Sequence, residues 1–106
     1  MKLLNIDYIP GCEIEALGLV RGAVVDSKNF VDDFIAKAGM KKLVGGEYIT
    51  FYTEMLNEAR TIATKRMVDE AEAMGADAVI NIRYGSSSVF EGAAEIIAYG
   101  TAVKIK

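Results

Sequence analysis

The chain has 106 residues, the size of one compact domain, and its 52% hydrophobic and 25% charged composition is typical of a globular protein. Its formal net charge of −3 gives no general attraction to nucleic acid or anionic lipid, and no apolar run approaches the ~18 residues of a membrane helix. It contains no histidine and one cysteine, which excludes Ser/His/Asp and Cys/His catalytic sets, the usual zinc-ligand spacings and an intrachain disulfide. We therefore predict a single domain over 1–106 with no nucleic-acid or membrane partner.

The N-terminal segment does not read as a secretory signal. Asn5 and Asp7 interrupt what would have to be its apolar core, and no small-residue cleavage site follows. We therefore expect a cytoplasmic location, with which the lone Cys12 is compatible.

The first elements are marked by turn and capping residues. Pro10 and Gly11 predict a turn that closes a short extended N-terminal piece. Apolar alternation then predicts a strand over 13–25. Asp26 is a typical helix N-cap residue, and the apolar spacing after it predicts a short helix over about 27–38.

The longest regular segment is a predicted helix over about 47–74. Apolar residues recur there at spacings of three and four, and Gly75 is placed to end the helix. The side expected to face a sheet includes Tyr52, Met55, Ala59, Ile62 and Met67.

Two further strands are predicted over 76–85 and 93–105, joined by a turn or loop that begins with Gly85 and Ser86–Ser88. Each strand presents a row of small residues, on which the long helix can pack closely. The fold class is therefore α+β: a three-stranded antiparallel sheet with the long helix on one face, here called the helix face, plus the short helix.

The opposite side of the sheet, here called the second face, also reads as apolar. One long helix cannot cover both faces, and an antiparallel sheet face left in water carries polar residues. We therefore predict that the second face is buried against other copies of the chain. The predicted interface residues are Leu17, Leu19, Ile97, Tyr99 and Val103.

Four charged residues are predicted among the apolar residues of the second face. Charges buried there need partners, so structural ion pairs or an exposed rim are one interpretation. A polar ring at a ligand site or pore between subunits is the other. The residues are Glu15, Arg21, Arg83 and Glu95.

Several short segments follow one another in a distinctive order between about residue 5 and residue 105. They include Ile9-Pro10-Gly11, Leu17-Gly18-Leu19-Val20, Gly45-Gly46-Glu47, Gly75-Ala76-Asp77-Ala78-Val79 and Asn81-Ile82-Arg83. This ordered set resembles the YbjQ-like family, which is labelled a heavy-metal-binding domain family. The resemblance implies a dodecin-like or YbjQ-like α+β subunit, assembly into a homopentameric ring and no established enzymatic activity.

Three hypotheses for the function follow. The first is a non-enzymatic homo-oligomeric ring, five-membered by the resemblance, that acts as a binding or scaffold protein for a small-molecule or metal ligand. The second, implied by the family label, is a heavy-metal-binding or sequestering ring; since soft metals prefer cysteine or histidine, it would need copies of Cys12 to meet by symmetry. The third is a small enzyme in which Arg21 and Arg83 hold an anionic group and Glu95 is the base. We predict no catalytic residues and no cofactor, with a metal ion at Cys12 as the open alternative.

Overall fold

The structure is a computed structural model that describes residues 1–26, 47–90 and 93–106, together with position 36. Its elements are β1 (Lys2–Leu3), β2 (Ile14–Asp26), α1 (Glu47–Ala73), β3 (Ala78–Phe90) and β4 (Ala93–Ile105). The four strands form one sheet in the order β1-β3-β4-β2, and α1 packs mainly on β2 and β4. The α+β arrangement and the long helix are as predicted from the sequence.

The predicted three-stranded antiparallel sheet is wrong, because the sheet has four strands and is mixed. The added strand β1 pairs in parallel with β3, with Lys2 opposite Ala78 and Leu3 opposite Val79. A strand of two residues has no alternation for a sequence pattern to reveal. Among the described residues α1 is the one helix with a defined range; the predicted short helix over 27–38 lies outside them, apart from position 36, which is helical.

The serine-rich segment after Gly85 belongs to strand β3 rather than to the predicted turn. Ser86, Ser87 and Ser88 lie opposite Ile96, Glu95 and Ala94 of β4. Serine and glycine have low β-propensity, but cross-strand pairing decides the conformation where a neighbouring strand is available. The hairpin of β3 and β4 is therefore longer than the alternation of apolar residues indicates.

Two β-bulges near the starts of β2 and β3 change which residues face the helix, and a third register shift lies between Ser88 and Phe90 at the end of β3. One lies between Ala16 and Gly18 of β2, and the other lies between Ile80 and Arg83 of β3. The second includes Asn81, whose φ of 54° is uncommon outside glycine. Because a bulge inserts an extra residue, it reverses the alternation of the side chains that follow.

The helix-face core is formed by small and flexible side chains of α1 against three strands. Its fully buried members on α1 include Ala59, Ala63, Met67 and Ala71. Helix and sheet approach most closely at Gly22, where a Cβ atom would lie 2.7 Å from Arg66 Cβ and would collide with the helix backbone. Tyr52, expected on this side, is instead 49% exposed. No helix in the described ranges is long and apolar enough to cross a membrane.

The C-terminal end of α1 follows a simple backbone rule. Gly75 has a φ of 77°, and the N–H groups of Gly75 and Ala76 donate to the carbonyls of Glu72 and Ala71 at 3.0 and 3.1 Å. Such left-handed glycine caps satisfy carbonyl groups that a helix end leaves free. The predicted role of Gly75 is thus confirmed.

A second, smaller core covers part of the second face. Ile9 is 1% exposed and packs with Ala78, Ile80 and Val103, and Leu4 and Ile14 lie at its margin. The predicted turn at Pro10 and Gly11 is present, since the Cys12 N–H donates to the Ile9 carbonyl at 3.0 Å. The N-terminal segment therefore covers the second face near the start of β3 and the end of β4.

Candidate functional site

The uncovered part of the second face forms an exposed patch, defined here as Leu19, Arg21, Val25, Arg83, Glu95, Ile97 and Tyr99. Leu19 is 65% exposed, Val25 43% and Tyr99 39%, whereas Glu95 and Ile97 are partly exposed. Large apolar side chains that are exposed together on one face commonly mark an interaction surface. The patch begins where the cover of the N-terminal segment ends.

A row of two arginines and one tyrosine crosses the exposed patch. Tyr99 of β4 lies opposite Arg21 of β2 on one side and opposite Arg83 of β3 on the other. Side chains directly opposite across strands have Cβ atoms about 4.5–5.5 Å apart, close enough for guanidinium groups to contact the phenol ring. The row combines positive charge, hydrogen-bond donors and an aromatic surface.

The two arginines differ in how they are held. Arg83 Nη1 donates to the carbonyl oxygens of Asn5 and Ile82, both at 3.0 Å, which links the guanidinium to the N-terminal segment. Arg21 is exposed. Across the ranges that the structure describes, neither arginine has a carboxylate within 4.0 Å, and the ion pair found there is Lys65–Asp69 on α1. Arg83 is therefore positioned by backbone carbonyls.

The acidic residues predicted to join the arginines lie elsewhere. Glu95 shares the second face but lies opposite Val25 and Ser87, two residue pairs from Tyr99. Glu15 lies opposite Lys104, whose ammonium donates to the carbonyl of Gly75 at the end of the helix, so Glu15 is on the helix face. The bulge after Ala16 separates Glu15 from Arg21 in this way. The chain thus brings together the two arginines, without Glu15.

The five predicted interface residues divide into two groups. Leu19, Ile97 and Tyr99 belong to the exposed patch. Leu17, the extra residue of the β2 bulge, packs against the helix-face core, and Val103 is fully buried under the N-terminal segment. Leu19, Ile97 and Tyr99 are therefore accessible for contact with a second copy. Leu17 and Val103 are largely covered by other parts of the same chain.

Two surface pockets lie on either side of Tyr84, which the sequence analysis did not single out. One, of about 530 Å³, lies at the β3 edge between Leu3–Asn5 and Ile82–Tyr84. The other, of about 570 Å³, lies between β3 and α1 and is lined in part by Arg60 and Lys65. The Tyr84 hydroxyl is 2.7 Å from Thr64 Oγ1 and tethers the strand to the helix between them. Tyr84 is 50% exposed. The one feature of the sequence that could have indicated this position is an aromatic residue directly before Gly85.

The single thiol belongs to the N-terminal segment. Cys12 is exposed in the turn after Pro10. Among the residues that the structure describes, no three His, Cys, Asp or Glu side chains are grouped as metal ligands. A soft-metal site at Cys12 would therefore require thiols from further copies of the chain.

Comparisons with known proteins connect this fold to uncharacterised relatives. A UPF0145 protein from Clostridium novyi is 59% identical over 99% of both chains, and one from Alkaliphilus metalliredigens is 58% identical over 98% of both. A crystal structure of a protein of unknown function from the DUF74 family of Pediococcus pentosaceus shares the fold, with a TM-score of 0.60 and 12% identity; the match covers 100% of this chain and 98% of that one.

The family resemblance inferred from the ordered segments is confirmed along the whole chain. The family described as "Putative heavy-metal-binding" matches residues 1–106. Together with relatives of nearly equal length, this match shows that the chain belongs to the YbjQ-like family.

Proposed function

We propose that the protein is a non-enzymatic, self-assembling binding or scaffold protein that works in the cytoplasm as a ring, five-membered as the family resemblance implies. The observation that supports this most directly is the exposed patch. Leu19 is 65% exposed beside Tyr99 and Val25, while the adjoining part of the same face is sealed by Ile9 and its neighbours. Burial of apolar surface contributes about 25 cal/mol per Å², so association of copies through this patch is favourable.

The chemistry of the chain supports a binding role rather than catalysis. The sequence has no histidine and one cysteine, so it lacks the usual pairs of nucleophile and base. The arginine–tyrosine row can bind an anionic or planar group, but Glu95, the candidate base, lies two residue pairs away. The enzyme hypothesis is therefore the weaker one.

The experiment is measurement of particle mass by light scattering at micromolar concentration. We expect several times the 11.5 kDa chain mass for the wild type. Leu19→Asp places an unpaired carboxylate in the apolar contact and should give single chains. Thr53→Asp, an exposed change on α1, should keep the wild-type mass. A wild type that elutes as single chains would contradict the proposal.

A heavy-metal-binding ring is the second candidate, and the description of the family supports it. Because one chain has one thiol and no imidazole, the soft ligands would come from Cys12 of several copies around the ring axis. Such a site predicts one ion per ring rather than one per chain.

A further inference from the structure

The sheet ends in two long strand edges. On the outer side of β3, β1 pairs with Ala78 and Val79, and the Ile82 N–H donates to the Leu4 carbonyl at 3.1 Å. Beyond this point, from Arg83 to Phe90, β3 has no strand on its outer side among the described residues. Among the described residues, strand β2 ends the sheet on the other side, and 12 of its 13 residues are paired with β4, the bulged Leu17 being the exception.

Among the described residues, neither edge has a covering strand, a lysine or a proline, although each strand contains a β-bulge and at least one charged residue. The β3 segment reads Arg-Tyr-Gly-Ser-Ser-Ser-Val-Phe, and β2 reads Ile-Glu-Ala-Leu-Gly-Leu-Val-Arg-Gly-Ala-Val-Val-Asp, with no lysine and no proline in either. Monomeric proteins protect edges with lysine, proline, short strands or a covering element. Long edges without such protection are suited to pairing with another strand.

The pocket of about 530 Å³ lies at the step where the β3 edge becomes free. Its walls are the end of the β1 segment, Leu3–Asn5, and the strand residues Ile82–Tyr84. A strand that continued along β3 above β1 would enter this space. The pocket therefore leaves room for a neighbouring strand beside Arg83 and Tyr84.

We propose that the outer edge of β3, Arg83–Phe90, pairs in parallel with the outer edge of β2 from a second copy, so that one sheet continues from copy to copy. This inference rests on the proposed self-assembly and specifies its contact. The partner is a second copy of this chain, since the same sheet supplies both kinds of edge.

Strand direction is the first argument for this pairing. Strands β2 and β3 are both antiparallel to β4 and therefore run in the same direction. When a second copy is placed beside the first with its sheet in continuation, β3 of one copy and β2 of the other run parallel. No element has to reverse or unfold.

The directions of the backbone groups and side chains at the two edges are also compatible with parallel pairing. The Ile82 N–H points outward, so alternation makes Tyr84, Ser86 and Ser88 the residues that present N–H and C=O groups at this edge. Their side chains belong to the helix face, as the Tyr84–Thr64 contact shows. On β2, Leu19, Arg21, Ala23 and Val25 point their backbone groups outward, with side chains on the second face; of these groups, the Ala23 carbonyl already accepts a hydrogen bond from the Arg66 guanidinium. In a parallel pair, a residue forms hydrogen bonds with the two neighbours of the residue opposite it, and the side chains of those neighbours lie on the other face of the sheet. The outward-pointing residues of β3 and of the second copy's β2 must therefore carry their side chains on opposite faces, as they do here.

Pairing of two different edges also determines the form of the assembly. A contact between unlike surfaces is heterologous and closes into a ring when the rotation between copies allows it. Because α1 occupies the helix face, curvature of the shared sheet must place the helices outside and the exposed patches inside. Leu19 and Tyr99 of all copies would then face the interior of the ring.

The test combines one edge variant with exchange of single backbone amides. Proline at Ser86 removes an outward N–H and leaves the bonds between β3 and β4 intact, whereas Ser86→Ala keeps the N–H. We expect Ser86→Pro to give single chains in light scattering and Ser86→Ala to keep the wild-type mass. In the wild-type assembly, the amides of Ser86 and Arg21 should exchange about tenfold or more slowly than in single-chain Leu19→Asp. The Ser87 amide, directed at β4, should be slow in both.

The outcomes separate this inference from the proposed function. If the wild type assembles but Ser86 and Arg21 exchange as fast as in Leu19→Asp, edge pairing is overturned and self-assembly stands. Single chains in the wild type would overturn both. If Ser86→Pro does not fold, the wild-type exchange rates decide.

Discussion

At the scale of single residues, Gly22 determines how closely the helix lies on the sheet. A Cβ atom there would lie 2.7 Å from Arg66 Cβ and would collide with backbone atoms of Ala63 and Met67. The Arg66 guanidinium, next to this contact, donates to the Ala23 carbonyl across the same interface. Backbone atoms of a helix cannot move aside as a side chain can, so this position requires glycine for space rather than for its φ angle.

We therefore expect Gly22→Ala to destabilise the fold, by about 1–3 kcal/mol or more, because overpacking forces the helix away from the sheet. The measurement is the denaturant midpoint of unfolding. Gly85→Ala is the matched control: its Cβ would meet Ile97 Cγ2 at 3.4 Å, an ordinary contact. Equal midpoints for the two variants would show that the helix lies farther from β2 than described.

Sequence patterns also failed to predict the face of the sheet on which some individual side chains lie. Simple alternation along β3 from Arg83 places Val79 on the second face, although Val79 is fully buried in the helix-face core. The bulge around Asn81 and the one beside Leu17 are backbone events, and each changes the phase of a strand without changing its composition. By contrast β4, in which the structure has no bulged residue of its own, keeps its predicted faces: Ala98 and Ala102 face the helix and Val103 does not.

At the scale of elements, α1 shows how much a long periodic segment determines. Its observed range of Glu47–Ala73 matches the prediction within one residue, and its buried side is the predicted apolar stripe from Met55 onwards. A helix of this length repeats its pattern over many turns, whereas β1 has two residues and no repeat. The fourth strand was therefore outside what periodicity could predict.

Ala59→Leu tests the rotational position of α1. Ala59 is fully buried in the helix-face core, so a leucine should overpack it and lower stability by about 1–3 kcal/mol. Ala73→Leu, at an exposed position on the same helix, should leave the unfolding midpoint nearly unchanged. Thermal unfolding followed by circular dichroism measures both, and a larger loss for Ala73→Leu would mean that the helix presents a different side to the sheet.

The N-terminal segment offers a second test at this scale. Ile9 is 1% exposed and Ile6 is 38% exposed, although both belong to the same irregular segment. Truncation of a buried isoleucine costs about 2–5 kcal/mol, so Ile9→Ala should lower the free energy of unfolding much more than Ile6→Ala does. Similar losses in chemical denaturation would show that the segment does not seal the second face.

At the scale of the whole molecule, the chain is long and thin for its size. Its Cα radius of gyration is 16.5 Å, whereas a compact domain of 100 residues has about 13 Å. Its extents are 52 × 26 × 19 Å, with strands of 13 residues along the long axis. In the described residues, an elongated subunit with two free strand edges leaves the apolar patch exposed, and the proposed lateral assembly would bury it. The sequence indicated this through the second face, but the edges became visible only with the strand order.

The description of the family makes the metal content of the whole particle a testable property. The number of bound ions has to be compared with the number of chains, which the particle mass gives. One chain supplies one thiol and no imidazole, whereas a tight soft-metal site uses three or four such ligands. We therefore expect zinc, cadmium or copper(I), added to metal-free protein and then dialysed, to remain at far less than one ion per chain.

Assembly leaves one route to a bound ion, because ring symmetry can bring the exposed Cys12 thiols of several chains to a common axis. Retention of one ion per ring, lost in Cys12→Ser and in single-chain Leu19→Asp, would establish that route and favour the metal-binding ring. One ion per chain that survives both substitutions would contradict the prediction, since it would require ligands other than thiolate and independent of assembly. Cys12→Ser removes the thiol and Leu19→Asp removes the assembly. Native mass spectrometry of the two variants therefore distinguishes a metal site within one chain from a site formed by the thiols of several chains.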